Sequence, residues 1–110
     1  MNLSSPGPSC GVVVDGIFWT WDAAKNENNK SEHKVSFELA ALVFEDPLHR
    51  SVLDDYPLED RWRTVGQVCG VHLIVVHTEP MNAENGLTGR IIHARKAKPS
   101  ERRAYTNDDE

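Results

Sequence analysis

The sequence predicts an α+β domain, a twisted and mainly antiparallel sheet with helices packed on one side. Three observations carry that prediction. Residues 17–21 alternate in character, so Ile17, Trp19 and Trp21 share one face of a strand while Phe18 and Thr20 take the other. Phe37, Ala40, Ala41 and Phe44 recur at i, i+3, i+4 and i+7, the stripe of a helix with one buried face. From residue 49 onward strand patterns follow in close succession, and residues 71–78 are so nearly apolar throughout that they read as the most central strand. Strand, helix, helix, then strands in antiparallel succession, then a helix, is the element order of an α+β fold.

Residues 1–14 read as a disordered leader, with Pro6, Gly7 and Pro8 set among serines. Val12 to Val14 have the character of an edge strand, but Gly11, Asp15 and Gly16 cut it short. The folded domain is expected over residues 15–106, followed by an acidic tail at 107–110. Asp22 is placed to cap a helix from Ala23 to about Ser31, whose asparagines predict early fraying. Ser36 caps the second helix and Pro47 closes it. A strand at 49–53 and an acidic loop at 54–60 come next. Residues 61–68 then alternate, with Arg61, Arg63 and Val65 opposite Trp62, Thr64 and Gly66. Cys69-Gly70 is a tight turn, residues 80–89 a long polar loop, and Ile91 and Ile92 begin the last strand. Pro99 and Ser100 open a short closing helix.

The chain has 110 residues, enough for one core without staples, and a net charge of −5. That charge is unevenly spread. Six of the twelve Lys and Arg fall between residues 90 and 103 with a single acid, Glu101, whereas residues 1–89 carry thirteen acids against six bases. The acidic total argues against non-specific duplex binding and leaves room for a small basic site on an acidic body. A local basic excess serves either to bind phosphate or to dock an acidic partner. No apolar run approaches membrane-spanning length, and the two cysteines read as free thiols of a cytoplasmic protein.

Five histidines invite a metal site, but His33, His49, His72, His77 and His93 show no ligand spacing, so neither a metal nor another cofactor is expected. Cys69, in a turn, has no marked activating neighbour. What remains is the arginines. Arg61 and Arg63 share a strand face, and Arg95 could join either across the sheet to hold a phosphate by forked hydrogen bonds. Arg90 and Arg95 are of opposite parity, so without a bulge they cannot aim at one site. His93 or His33 could act as acid or base near neutral pH. The same arginines could instead solvate an open sheet face or pair with acids such as Glu59 and Asp60.

Phe18-Trp19-Thr20-Trp21-Asp22-Ala23-Ala24-Lys25, followed by Asn29 and by His33-Lys34-Val35-Ser36-Phe37-Glu38-Leu39-Ala40, resembles the opening of the BrnT toxin family. Glu45-Asp46-Pro47, Arg61-Trp62-Arg63-Thr64-Val65-Gly66 and Leu73-Ile74-Val75-Val76-His77-Thr78-Glu79 are similar to its central segments. Arg90-Ile91-Ile92-His93-Ala94-Arg95-Lys96-Ala97, with Glu101-Arg102-Arg103 and Tyr105, resembles its closing signature. The resemblance implies a RelE-like fold and a metal-independent endoribonuclease that inhibits translation. It also implies a BrnA-type antitoxin whose ribbon-helix-helix part binds promoter DNA, the toxin reaching DNA only through it. By position it makes Arg61 and Arg95 catalytic. It gives Arg90 and Lys25 as supporting RNA contacts and Trp21 as an anchor for the first helix, and Arg63, His93 and Lys96 are expected to contact RNA beside them. Where the family usually has Lys-His-Gly, this chain has Glu32-His33-Lys34. The alternative reading is a non-catalytic module of the same fold that partners a ribbon-helix-helix protein.

Overall fold

Asp15 and Gly16 both adopt positive φ, 55° and 79°, and reverse the chain in two residues. They join β1 (Ser9–Val14) to β2 (Ile17–Asp22) as an antiparallel hairpin. The computed structural model describes residues 9–55, 57, 60–84 and 86–106, so residues 1–8 of the leader expected over 1–14, and the acidic tail at 107–110, lie outside the described residues. Residues 9–14, expected in the leader, are instead an ordered strand. The Asp-Gly pair is the signal, because a type I′ hairpin turn needs two residues at positive φ.

β2 leads directly into α1 (Ala23–His33), with Asp22 Oδ1 accepting the N–H groups of Ala24 and Lys25 at 2.8 and 3.1 Å. The asparagines expected to fray this helix pin it instead. Asn29 donates to the carbonyls of Ala94 (2.7 Å) and Val35 (2.9 Å), and its Oδ1 accepts the Ala94 N–H at 3.2 Å. Its amide thus pairs with a strand backbone as another strand would. Asn26 Oδ1 accepts the Phe37 N–H at 2.8 Å. Low helix propensity is outweighed because both side chains satisfy buried backbone groups. Ser36 then caps α2 (Phe37–Ala41) by accepting the Leu39 N–H, and a 3₁₀ turn, Leu42–Glu45, completes the stripe. Phe37, Ala40, Ala41 and Phe44 are all buried.

The remaining strands are β3 (Arg50–Asp54), β4 (Arg61–Val68), β5 (Val71–Thr78), β6 (Met81–Ala83) and β7 (Gly86–Lys96). Their order is β1-β2-β7-β5-β4-β3, with β6 hydrogen-bonded to the start of β7. The expected polar loop at 80–89 is therefore a short hairpin feeding a longer strand. The sheet is mixed: β2 and β7 run parallel, while the other pairings are antiparallel. β7 is the hinge of the architecture. Its first half lies between β6 and β2, and its second half between β5 and α1.

One face of the sheet packs on α2 and the 3₁₀ turn, while α1 runs along the β7 edge beyond its pairing with β2. Trp19 is fully buried and stacks on Phe44 with centroids 4.2 Å apart, while Trp21 meets Phe37 edge-on. Trp21 thereby ties the sheet to α2, the second helix, where the first was expected. Gly89, opposite Trp19, leaves room for the indole, since a Cβ there would lie 2.5 Å from Cζ3. On the same face His77 is buried. Its Nδ1 must donate to the Thr78 carbonyl, 2.8 Å away, so Nε2 of the neutral ring accepts from Thr64 at 2.6 Å. Burial pushes the His77 pKa down to about 4.

The third helix, α3 (Pro99–Thr106), departs from the expectation of helices on one side only. It lies against the opposite face, where Tyr105 packs edge-on against His72 and donates to Asp46 Oδ2 at 2.5 Å. Two polar anchors hold it there, Asp46 at the end of the 3₁₀ turn and Arg95 on that face. Among the described residues no helix is long and apolar enough to cross a membrane, and both cysteines are free.

Candidate functional site

The face opposite α2 collects the arginines, and a register shift makes this possible. His77 pairs with Ile91 but Val76 pairs with His93, so Ile92 is an extra residue, a β-bulge. Ile91 and Ala94, three apart, are both buried on the helical face, at 1% and 0% exposure. Alternation therefore flips at Ile92, and Arg90, His93 and Arg95 emerge together on the open face. Arg61 and Arg63 join them from β4.

These groups form successive rungs across β4, β5 and β7. Arg61 is level with Thr78, whose hydroxyl accepts the Arg90 N–H at 3.0 Å. Arg63 is level with Val76 and His93, and Val65 with Ile74 and Arg95. Arg61 and Arg90 are thus two strand spacings apart, about 10 Å between Cα atoms. Arg61 and Arg95 are not brought together. Four residues along and two strands across separate them by roughly 16 Å, so each would contact a different phosphate of one strand.

Local partners hold several of these side chains. Arg95 makes a forked pair with Glu101, Nη1 to Oε1 and Nη2 to Oε2 both at 2.9 Å, with the two side chains 26% and 24% exposed. Glu101 Oε1 also accepts the Lys98 N–H at 2.7 Å, so one carboxylate caps α3 and binds the arginine. The Arg95 bonds hold the Glu101 pKa down at about 2, and Glu101 in turn raises that of Arg95. Arg63 Nε approaches Asp54 Oδ1 at 3.3 Å, an ion pair rather than an aligned hydrogen bond. Between α3 and the sheet lies a cavity of about 270 Å³ lined by Arg50, Arg63, Ile74, Glu101 and Tyr105. A larger groove of about 870 Å³ borders Arg90, Thr78, Asp60, Glu79 and Met81.

His93 meets His33 across 60 residues of sequence, Nε2 to Nε2 at 3.1 Å. Two ring nitrogens at that distance share one proton, one donating while the other accepts. Burial, then the charges of His33 and Arg95, lower the His93 pKa, with Glu32 partly opposing them. Among the described residues no group of three His, Cys, Asp or Glu side chains converges as a metal site. The other expected contacts lie elsewhere. Lys25 is exposed on the first turn of α1, and Lys96 has the parity of Ala94, on the helical side at the strand end. Neither the histidine contact nor the Glu101 clamp has a spacing signal, because both join elements distant in the chain or depend on the bulge.

A curled mixed sheet with α2 on one face, α1 along an edge and a row of arginines on the other face defines a small α+β protein with a basic surface. Its family is shown by sequence. Residues 21–101 match the ribonuclease toxin, BrnT, of type II toxin-antitoxin systems, and the chain belongs to that family. No curated protein matches the chain. Membership makes RNA its target and an antitoxin its partner.

Proposed function

We propose that this protein is a metal-independent endoribonuclease of RelE-like fold that cleaves RNA through the substrate's own 2′-hydroxyl and thereby inhibits translation. The observation that carries the reading is the bulge at Ile92, which sets Arg90, His93 and Arg95 on the face that bears Arg61 and Arg63. In this reading neutral His93 takes the 2′-hydroxyl proton, and its lowered pKa keeps it neutral near pH 7. The 2′-oxygen attacks phosphorus, the 5′-oxygen leaves with a proton from solvent, and a 2′,3′-cyclic phosphate results. Arg95, two residues from His93 on the same face, is the catalytic cation that stabilises the extra charge of the pentacoordinate phosphorus, and Arg61 serves the reaction by holding a neighbouring phosphate of the strand in line. Arg63 and Arg90 track neighbouring phosphates, while Lys25 and Lys96 hold RNA that extends past the face. The inhibitor is a BrnA-type ribbon-helix-helix antitoxin, which alone contacts promoter DNA, and the setting is cytoplasmic.

Expression alone should arrest growth, and Arg61→Ala or Arg95→Ala should each lower the cleavage rate by about 10²-fold or more. If both variants still arrest growth at equal expression, the assignment fails. One observation favours the second reading, a non-catalytic module: Arg95 and Arg63 already face the carboxylates of Glu101 and Asp54. Wild-type protein that binds its antitoxin but neither cleaves RNA nor arrests growth would establish that reading.

A further inference from the structure

Beyond the Arg61–Thr78–Arg90–Thr20 rung the open face turns apolar. Arg90 is level with Thr20 of β2, and two residues back along both strands Thr88 is level with Phe18. Phe18 pairs with Val13 on β1, and Thr88 pairs with Met81 on β6. Met81, Thr88, Phe18 and Val13 thus form a row across four strands, with the three apolar members 68%, 43% and 66% exposed. The Phe18 ring reaches over Gly11: a Cβ at that position would lie 2.6 Å from Cζ. Gly11 is the one residue type that lets the ring settle over β1 and keep an outward surface.

An exposed phenylalanine by itself is ordinary. This one stands about 8 Å from Arg90, one strand across and two residues along, beside the groove that Arg90 borders. That groove also carries Asp60 and Glu79, which disfavour a second phosphate there and favour an uncharged group. An aromatic ring one step from a phosphate-binding cation is the pattern by which proteins hold single-stranded nucleic acid, the base stacking while its phosphate is neutralised.

We propose that Phe18 is a base-stacking subsite for single-stranded RNA, taking an unpaired base of the strand whose phosphate meets Arg90. The proposal rests on the ribonuclease reading and adds to it a site of its own. Phe18 and Gly11 lie in the amino-terminal hairpin, ahead of residues 21–101 that match the family. Any of the four bases can stack, so the subsite selects unpaired over paired RNA rather than one sequence.

The test uses the full chain and a single-stranded, 2′-O-methylated oligonucleotide that cannot be cleaved, carrying 5-iodouridine at successive positions. Irradiation of the wild-type complex should crosslink the peptide containing Phe18 from one position of the strand. Phe18→Leu, which keeps an apolar side chain, should weaken binding about tenfold to a hundredfold with the salt dependence unchanged. Phe18→Tyr should restore it. Arg90→Ala should instead lower the salt slope by about one. Wild-type affinity in Phe18→Leu together with crosslinks elsewhere would overturn the subsite and leave the ribonuclease reading standing. Loss of antitoxin binding alone in Phe18→Leu would overturn it too, making the row a protein-docking surface. Absence of any RNA binding by the wild type would overturn both.

Discussion

Replacing Glu101 with Gln isolates the charge of one carboxylate that serves two elements. Glu101 closes the forked pair with Arg95 and accepts the Lys98 N–H at the start of α3. Glutamine keeps an acceptor for the cap and one for the arginine but removes the charge and the second oxygen. A hydrogen bond to a charged group is worth about 1.5–3 kcal/mol, and part survives, so the expected loss is about 1–2 kcal/mol. In a domain of this size that lowers the melting temperature by about 5–10 °C. The pH dependence is more diagnostic than the size. With the folded pKa at about 2 against the ordinary 4.5, the stabilisation is complete above 4.5 and fades as pH falls towards 2. At pH 3 roughly two-fifths of the pH 7 contribution remains. Urea unfolding of both proteins at pH 7 and pH 3 measures the two gaps. Equal stability at pH 7, or a gap as wide at pH 3 as at pH 7, would refute the reasoning.

Three other outcomes follow from particular contacts. His77 is neutral in the fold with a pKa of about 4, so stability should decline as pH falls from 6.5 towards 4, by about 3 kcal/mol in total. His77→Gln should flatten that limb in denaturant titrations, and an unaltered slope would count against it. RNA cleavage should survive thorough chelation, whereas activity lost with a chelator and regained with zinc or magnesium would reject metal independence. Arg102 and Arg103 are exposed on α3 within the basic stretch, and reversing both to Glu should slow antitoxin association about tenfold at low salt and less at high salt. An association rate unaffected by the reversal and by ionic strength would put the antitoxin on an apolar surface elsewhere.

Much of the fold was legible in the sequence because single segments carried their own signal. The alternation of Ile17, Trp19 and Trp21, the Phe37–Phe44 stripe and the Cys69-Gly70 turn each follow from local periodicity or φ preference, and the structure has them as expected. The amino-terminal hairpin is hidden because Asp15 and Gly16 read as an ending, whereas two residues at positive φ also make a reversal. Asn26 and Asn29 mislead for a different reason. Their propensity is poor in any isolated helix, and only the neighbouring backbone of Val35, Phe37 and Ala94 turns them into fastenings.

The site was legible as a list of residues and illegible as an arrangement, and one extra residue accounts for most of the difference. Parity along an unbroken strand separates Arg90 from Arg95, and nothing in Arg90-Ile91-Ile92-His93 marks a bulge. What requires it is the burial of both Ile91 and Ala94 beneath the same helices, which no regular strand can achieve at a spacing of three. Core packing thus decides the position of the surface charges. The burial of Ile91 and Ala94 offsets the cost of an unpaired residue at Ile92, and the shift aligns His93 with Arg63 and Arg95 with Val65. The same displacement carries His93 to His33 and Arg95 to Glu101. Proton-sharing pair, clamped arginine and cationic face are therefore one consequence of one register shift, and a substitution that regularised β7 would dismantle all three together.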